Sequence, residues 1–288
     1  MTTTDDEPDA AIERVLDEAY AAFDAERYDR AGELLAGVAA GVAPGLAKPL
    51  WFDAALCALR MRDWPTARDR GVQAVRFVER GANEPAYWNL GTAATALRDW
   101  DLARDCWAGF GMEPLPGTGP IDIDGGPTCV RLGVGEVVWA RRIDPVRARV
   151  LNVPFDPSRR YGEIVLHSGA PSGERVSGGV AYPVFDEIEL FEASPLATLA
   201  VLVTARDADD IEDLSARFAQ DGYGMEVLNS RVDRCSCCSQ GTHRSERGRF
   251  DGEQQLFIAA PEDTAHVVLD AWTRDRPDAR SWTDLHPA

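Results

Sequence analysis

Basic charge is scarce in this sequence of 288 residues, and lysine almost missing. Thirty lysine and arginine residues face 48 aspartates and glutamates, a net charge of −18, and only Lys48 is lysine. That balance argues against nonspecific binding to nucleic acid or to anionic membranes, both of which need a basic field. No run of about 18 apolar residues occurs, so no membrane-spanning helix is expected. Met1–Ala10 is acidic and polar, without the basic start and apolar core of a secretory signal, and a cytoplasmic location follows as the expectation. Six cysteines are too few for a disulfide scaffold. The phosphate-loop pattern G-x-x-x-x-G-K-[ST], H-E-x-x-H, G-x-S-x-G and G-x-G-x-x-G are all missing, so enzymatic activity stays an open question at this level.

What is present is a repeat. Tyr28 precedes Ala31 by three, Trp64 precedes Ala67 and Trp100 precedes Ala103, each step being 36 residues, with Asp63 and Asp99 in the same register. A period of this length indicates stacked helical hairpins, because one hairpin cannot bury its apolar face alone. The spacing of apolar residues predicts six helices, over 10–25, 28–41, 48–61, 64–79, 84–97 and 100–110. Pro65 and Pro85 fall in first helical turns, where a missing N–H costs nothing. Cys57 and Cys106 lie inside these helices and read as small core residues.

The third unit, Tyr87–Phe110, resembles a tetratricopeptide (TPR) repeat. Tyr87 takes the first aromatic slot, Leu90-Gly91 match directly and Ala94 replaces a tyrosine. Ala103 matches the close helix contact, Trp107 replaces a phenylalanine and Pro114 lies near the terminal proline slot. The second unit keeps Trp51, Ala55, Ala67 and Ala74; the first keeps Ala19, Ala31 and the Tyr28 turn. The resemblance covers residues 1–110 as three hairpins. It implies a concave face that binds a protein or peptide partner, carried over by register to Tyr20, Phe23, Phe52, Leu56, Leu59, Arg60, Trp88 and Thr92. That face lacks the lysine and arginine ring that clamps acidic peptide tails. The same residues can instead pack against the protein's own C-terminal half.

Residues 111–128 hold the glycines and prolines of a linker. A strand-rich domain is expected over 129–194, with candidate strands Val134–Arg141, Arg147–Val153, Gly162–His167 and Phe185–Leu190 and a flexible run Ser168–Gly179. His167, before that run, reads either as a structural histidine or as a ligand or base. The acidic run Asp186–Glu192 alternates as one solvated strand face does.

From 195 to 288 the pattern reads strand Leu199–Thr204, helix Ala208–Gln220, strand Met225–Val232, strand Gln255–Ala259, helix Pro261–Arg274 and a strand near Arg280–Thr283. The βαββαβ order resembles a ferredoxin-like module. The expected fold class is therefore α+β, a helical-hairpin array followed by a strand-rich segment and a ferredoxin-like module with a cysteine-rich hairpin over 233–252.

That hairpin carries Cys235 and Cys238 as C-x-x-C, with Cys237 between them and His243 five residues on. Sulfur plus imidazole suits zinc, with four protein ligands in a structural site and an open position in a catalytic one. Arg231, Arg234, Arg244, Arg247 and Arg249 flank the cluster and favour thiolate. A second C-x-x-C is missing; Cys237, Cys129, His167 and Asp233 are candidates for a fourth ligand. This half is also similar to uncharacterised bacterial repeat proteins that end in a cysteine/histidine cluster, a resemblance that implies no activity. The expected function is a protein–protein interaction scaffold with a zinc-stabilised C-terminal module. The alternative is a zinc-dependent hydrolase or thiol-reactive enzyme with its site in the C-terminal half.

Overall fold

The computed structural model describes residues 10–228 and 252–288. The chain is mixed helix and sheet, helical first and strand-rich after, and by contacts it divides into two compact units, Met1–Ile121 and Asp122–Ala288. Among the described residues no helix is long and apolar enough to cross a membrane.

The first unit contains α1 (Ala10–Asp24), α2 (Tyr28–Ala39), α3 (Pro44–Arg60), α4 (Trp64–Ala74), α5 (Pro85–Ala96) and α6 (Trp100–Phe110). Helix α3 starts four residues before the expected position. Pro44 is not a break but the first helical residue, where its fixed φ is already helical. After α4 the chain tightens into a 3-10 turn, Val75–Phe77.

The 36-residue period is written into the backbone. Glu26, Arg62 and Arg98 adopt left-handed φ of 58°, 57° and 61°, one at each hairpin turn. The following amides close the same bond each time: Arg27 N to Ala22 O at 2.8 Å, Asp63 N to Ala58 O at 3.0 Å, Asp99 N to Ala94 O at 2.9 Å. Asp63 and Asp99 then cap the next helix through their carboxylates, which accept from Thr66 N at 3.2 Å and Leu102 N at 3.3 Å. The register alanines Ala31, Ala67 and Ala103 are all buried. In the third hairpin Gly91 lets α5 approach the Trp107 ring, and Gly109 lets α6 approach Tyr87; a Cβ would fall 2.7 Å and 2.5 Å from those rings.

The second unit opens with a closed five-stranded barrel, β1 (Pro127–Arg131), β2 (Val137–Arg142), β3 (Arg147–Val150), β4 (Ile164–Ser177) and β5 (Val180–Glu192). Neighbours pair antiparallel in that order, and β1 closes on β5 in parallel. Val130, Leu132, Val138, Ala140, Ala148, Val150 and Val165 fill it. Two expectations are corrected here. Strand β1 begins at Pro127, inside the stretch read as linker. The run Ser168–Gly179 is mostly not loop: β4 continues to Ser177, paired with Val180, and Gly178-Gly179 make the turn at φ 59° and 81°.

Then come β6 (Thr198–Thr204), α7 (Ala208–Gln220), β7 (Gly224–Val227), β8 (Glu253–Ala259), α8 (Glu262–Asp275) and β9 (Ser281–Pro287). The sheet order is β7-β8-β6-β9, every neighbouring pair antiparallel. Leu199, Val201, Val203, Leu256 and Ile258 pack under Leu214 and Phe218 of α7 and Leu269 and Trp272 of α8. The buried Asp210 carboxylate holds the arrangement, accepting from Arg280 Nε at 2.8 Å and Arg276 Nη1 at 3.0 Å.

Candidate functional site

The residues carried over as groove-facing divide into three kinds. Tyr20 and Arg60 are exposed, and Phe23, Phe52, Leu56 and Leu59 are half-buried. Trp88 and Thr92 are committed inside the third hairpin. Trp88 stands edge-on to Trp107 and Phe110, ring centroids 5.3 Å and 5.1 Å away, and the buried Thr92 hydroxyl donates to the Trp88 carbonyl at 3.0 Å. Helical spacing placed them on the first helix of the hairpin, but it does not show which aromatic neighbour they meet. Phe23 is similarly engaged, edge-on to Tyr28 at 5.4 Å.

Across α1 and α3 the Tyr20 hydroxyl donates to Asp53 Oδ2 at 2.9 Å. Burial and then this bond push the phenol up to about 12, and burial raises the Asp53 carboxyl above its ordinary value. Cys57 is fully buried, and burial pushes its thiol to about 11, as it pushes Cys106 to about 12. Both are protonated core residues at neutral pH, as their helical placement implied.

Phe52 lies in an open cleft between the start of α3, the end of α4 and the start of α5. Its other walls are Pro49, Ala74, Val78, Pro85 and Ala86, around about 330 Å³. The lining is apolar but for Lys48 and Glu84, which reach from opposite walls into an ion pair of 3.1 Å. Those two residues are 36 apart, the same position in consecutive repeats, and Lys48 is the sole lysine. That coincidence was the signal for this cleft in the sequence, and a count of basic residues alone does not show it.

In the barrel His167 is fully buried. Its Nδ1 lies 2.7 Å from Ser168 O and its ring 4.7 Å from Phe185, while Nε2 has no hydrogen-bond partner among the described residues. Burial, helped by the Arg142 charge, lowers it to about 4, so it is a neutral imidazole across the ordinary pH range. Cys129 packs elsewhere, with Val137 and Val184. Among the described residues no group of three or more histidine, cysteine or carboxylate side chains could hold a metal. Cys235, Cys237, Cys238 and His243 lie outside the described residues, as does Asp233.

The carboxylates of the acidic run are engaged where they turn inward. Glu187 takes both Arg159 amines, at 2.6 Å and 2.8 Å, while Arg159 Nε bonds Glu163 at 2.8 Å. Two carboxylates on one guanidinium form a structural lock with no free base.

No family model and no curated protein matches the chain. Among solved structures, a hypothetical protein from Neisseria gonorrhoeae aligns over 55% of this chain and 93% of its own, at 11% identity and a TM-score of 0.22. A likeness of that size carries no argument about fold or function.

Proposed function

We propose that the protein is a protein–protein interaction scaffold, whose tetratricopeptide-like array receives an apolar side chain of a partner peptide in the α3–α4–α5 cleft. The supporting observation is the cleft itself, a concave apolar site of small-ligand size with a few placed polar groups. Lys48 and Glu84 at its wall offer one cation and one carboxylate to the partner's main chain. The βαββαβ element order, with strand order β7-β8-β6-β9, supports reading the C-terminal module as ferredoxin-like.

A photo-crosslinking amino acid placed at Val78, on the cleft wall, leaves Lys48 and Glu84 intact and makes a direct test. It is expected to trap partner in the otherwise wild-type chain and to lose most of it when Phe52→Ala is added, at unchanged melting temperature. Equal trapping in both excludes the cleft. Phe52 is the better target than Trp88, whose replacement would disturb the third hairpin. The C-x-x-C of Cys235 and Cys238, with His243, supports a second proposal, a zinc ion held by that segment. Metal content of the reduced protein against Cys238→Ser decides it: equal content in both rejects the site.

A further inference from the structure

The segment read as linker is clasped by one side chain. Arg104, on α6, donates Nη1 to Gly119 O at 2.7 Å, and Nη2 and Nε to Pro116 O at 3.2 Å and 3.3 Å. Its Nη1 also reaches Trp100 O on its own helix at 3.3 Å. Gly117 and Gly119 take left-handed φ of 77° and 76°, which lets the segment curl so that both carbonyls face the guanidinium. Met112 and Leu115 are half-buried and Ile121 fully buried. Beyond it, Ile123 N donates to Ile143 O at 2.9 Å and Gly125 N to Arg142 O at 2.9 Å, so the second unit holds the chain again at once.

A stack of hairpins leaves an apolar end that must be covered. At the α6 end the segment bonded to Arg104 follows directly on the last helix. We infer that residues 111–119 are an arginine-fastened strap on the helical array, held to α6 by Arg104, and that release of this clasp frees the chain from Met112 onward. The device depends on one planar guanidinium that meets two carbonyls in fixed directions, a task a lysine ammonium cannot share.

Limited proteolysis of the full chain with thermolysin, which cuts before large apolar residues, tests this at Met112, since Leu115 is shielded from cutting by Pro116 after it. Wild type is expected to resist, and Arg104→Ala to be cut there about tenfold faster, the scale of one net hydrogen bond, since these partly exposed bonds exchange with water. Arg104→Met keeps the aliphatic stem over α6 and removes only the donors, so it is expected to cut like Arg104→Ala. Wild type cut as fast as both variants overturns the strap. So does an Arg104→Met chain that resists like wild type, because stem packing then does the holding.

Discussion

At the scale of single residues, the most informative group is a buried histidine. His167 has its imidazole fully buried on Phe185, one nitrogen bonded to its neighbour's carbonyl and the other with no bond among the described residues. Its folded value of about 4 lies below the unfolded 6.5. Between those values the unfolded chain takes up a proton that the folded chain refuses. The histidine's contribution is therefore complete above about pH 6.5 and is lost as pH falls toward 4. Wild type and His167→Leu, unfolded in urea at pH 7 and pH 4.5, should differ in their pH response by about 2 kcal/mol, the wild type losing more. Parallel losses would mean that the ring is solvated. The sequence showed a lone histidine at a strand end and left ligand, base and structural roles open; the structure adds that the ring is buried against Phe185.

At the scale of elements, the helical hairpins were legible because alanine, glycine and aspartate recur where geometry demands small or capping side chains. Asp63 and Asp99 hold equivalent caps, and Ala31, Ala67 and Ala103 are all buried. The hairpin turns fall where the expected helix bounds put them, but their left-handed backbone was not legible, since Glu26, Arg62 and Arg98 occupy positions that favour glycine. Arg62→Gly should therefore stabilise the array by about 0.5–1 kcal/mol, relief of the left-handed strain exceeding the added chain entropy. A destabilised variant in thermal unfolding would show that Arg62 makes a side-chain contact worth more than the strain. Glycine also misled in the other direction. Gly169, Gly173, Gly178 and Gly179 suggested a loose loop, yet only the last two turn the chain. Strand pairing through Glu174↔Pro183 and Val176↔Ala181 carries the rest, with bulges absorbing the register shifts. Cross-strand pairing of this kind overrides single-residue propensity.

At the scale of the whole molecule, the sequence separated helix from sheet, and the division by contacts, after Ile121, falls inside the 111–128 stretch read as linker. What the sequence did not show is that Arg104 bonds Pro116 O and Gly119 O within that stretch. No composition rule shows which arginine bonds a carbonyl a dozen residues on. The same limitation hides the fastening of the second unit. Arg280, ahead of β9, is 70 residues from Asp210 on α7, yet the two are joined at 2.8 Å through Nε. Arg280 Nη1 also bonds Asp213 at 2.8 Å, and its guanidinium lies 5.1 Å from the Trp272 ring. Asp210 is wholly buried, and its remaining cation, Arg276, has a half-exposed side chain. Arg280→Met keeps the stacking volume but leaves that carboxylate poorly compensated, which for a buried pair costs about 3–5 kcal/mol. Adding Asp210→Asn to the same chain removes the orphaned charge and should return part of the loss. Urea unfolding of the two variants reads this directly. If the double variant is no more stable than Arg280→Met, the arginine acts by packing on Trp272, and the charge network is not what anchors β9.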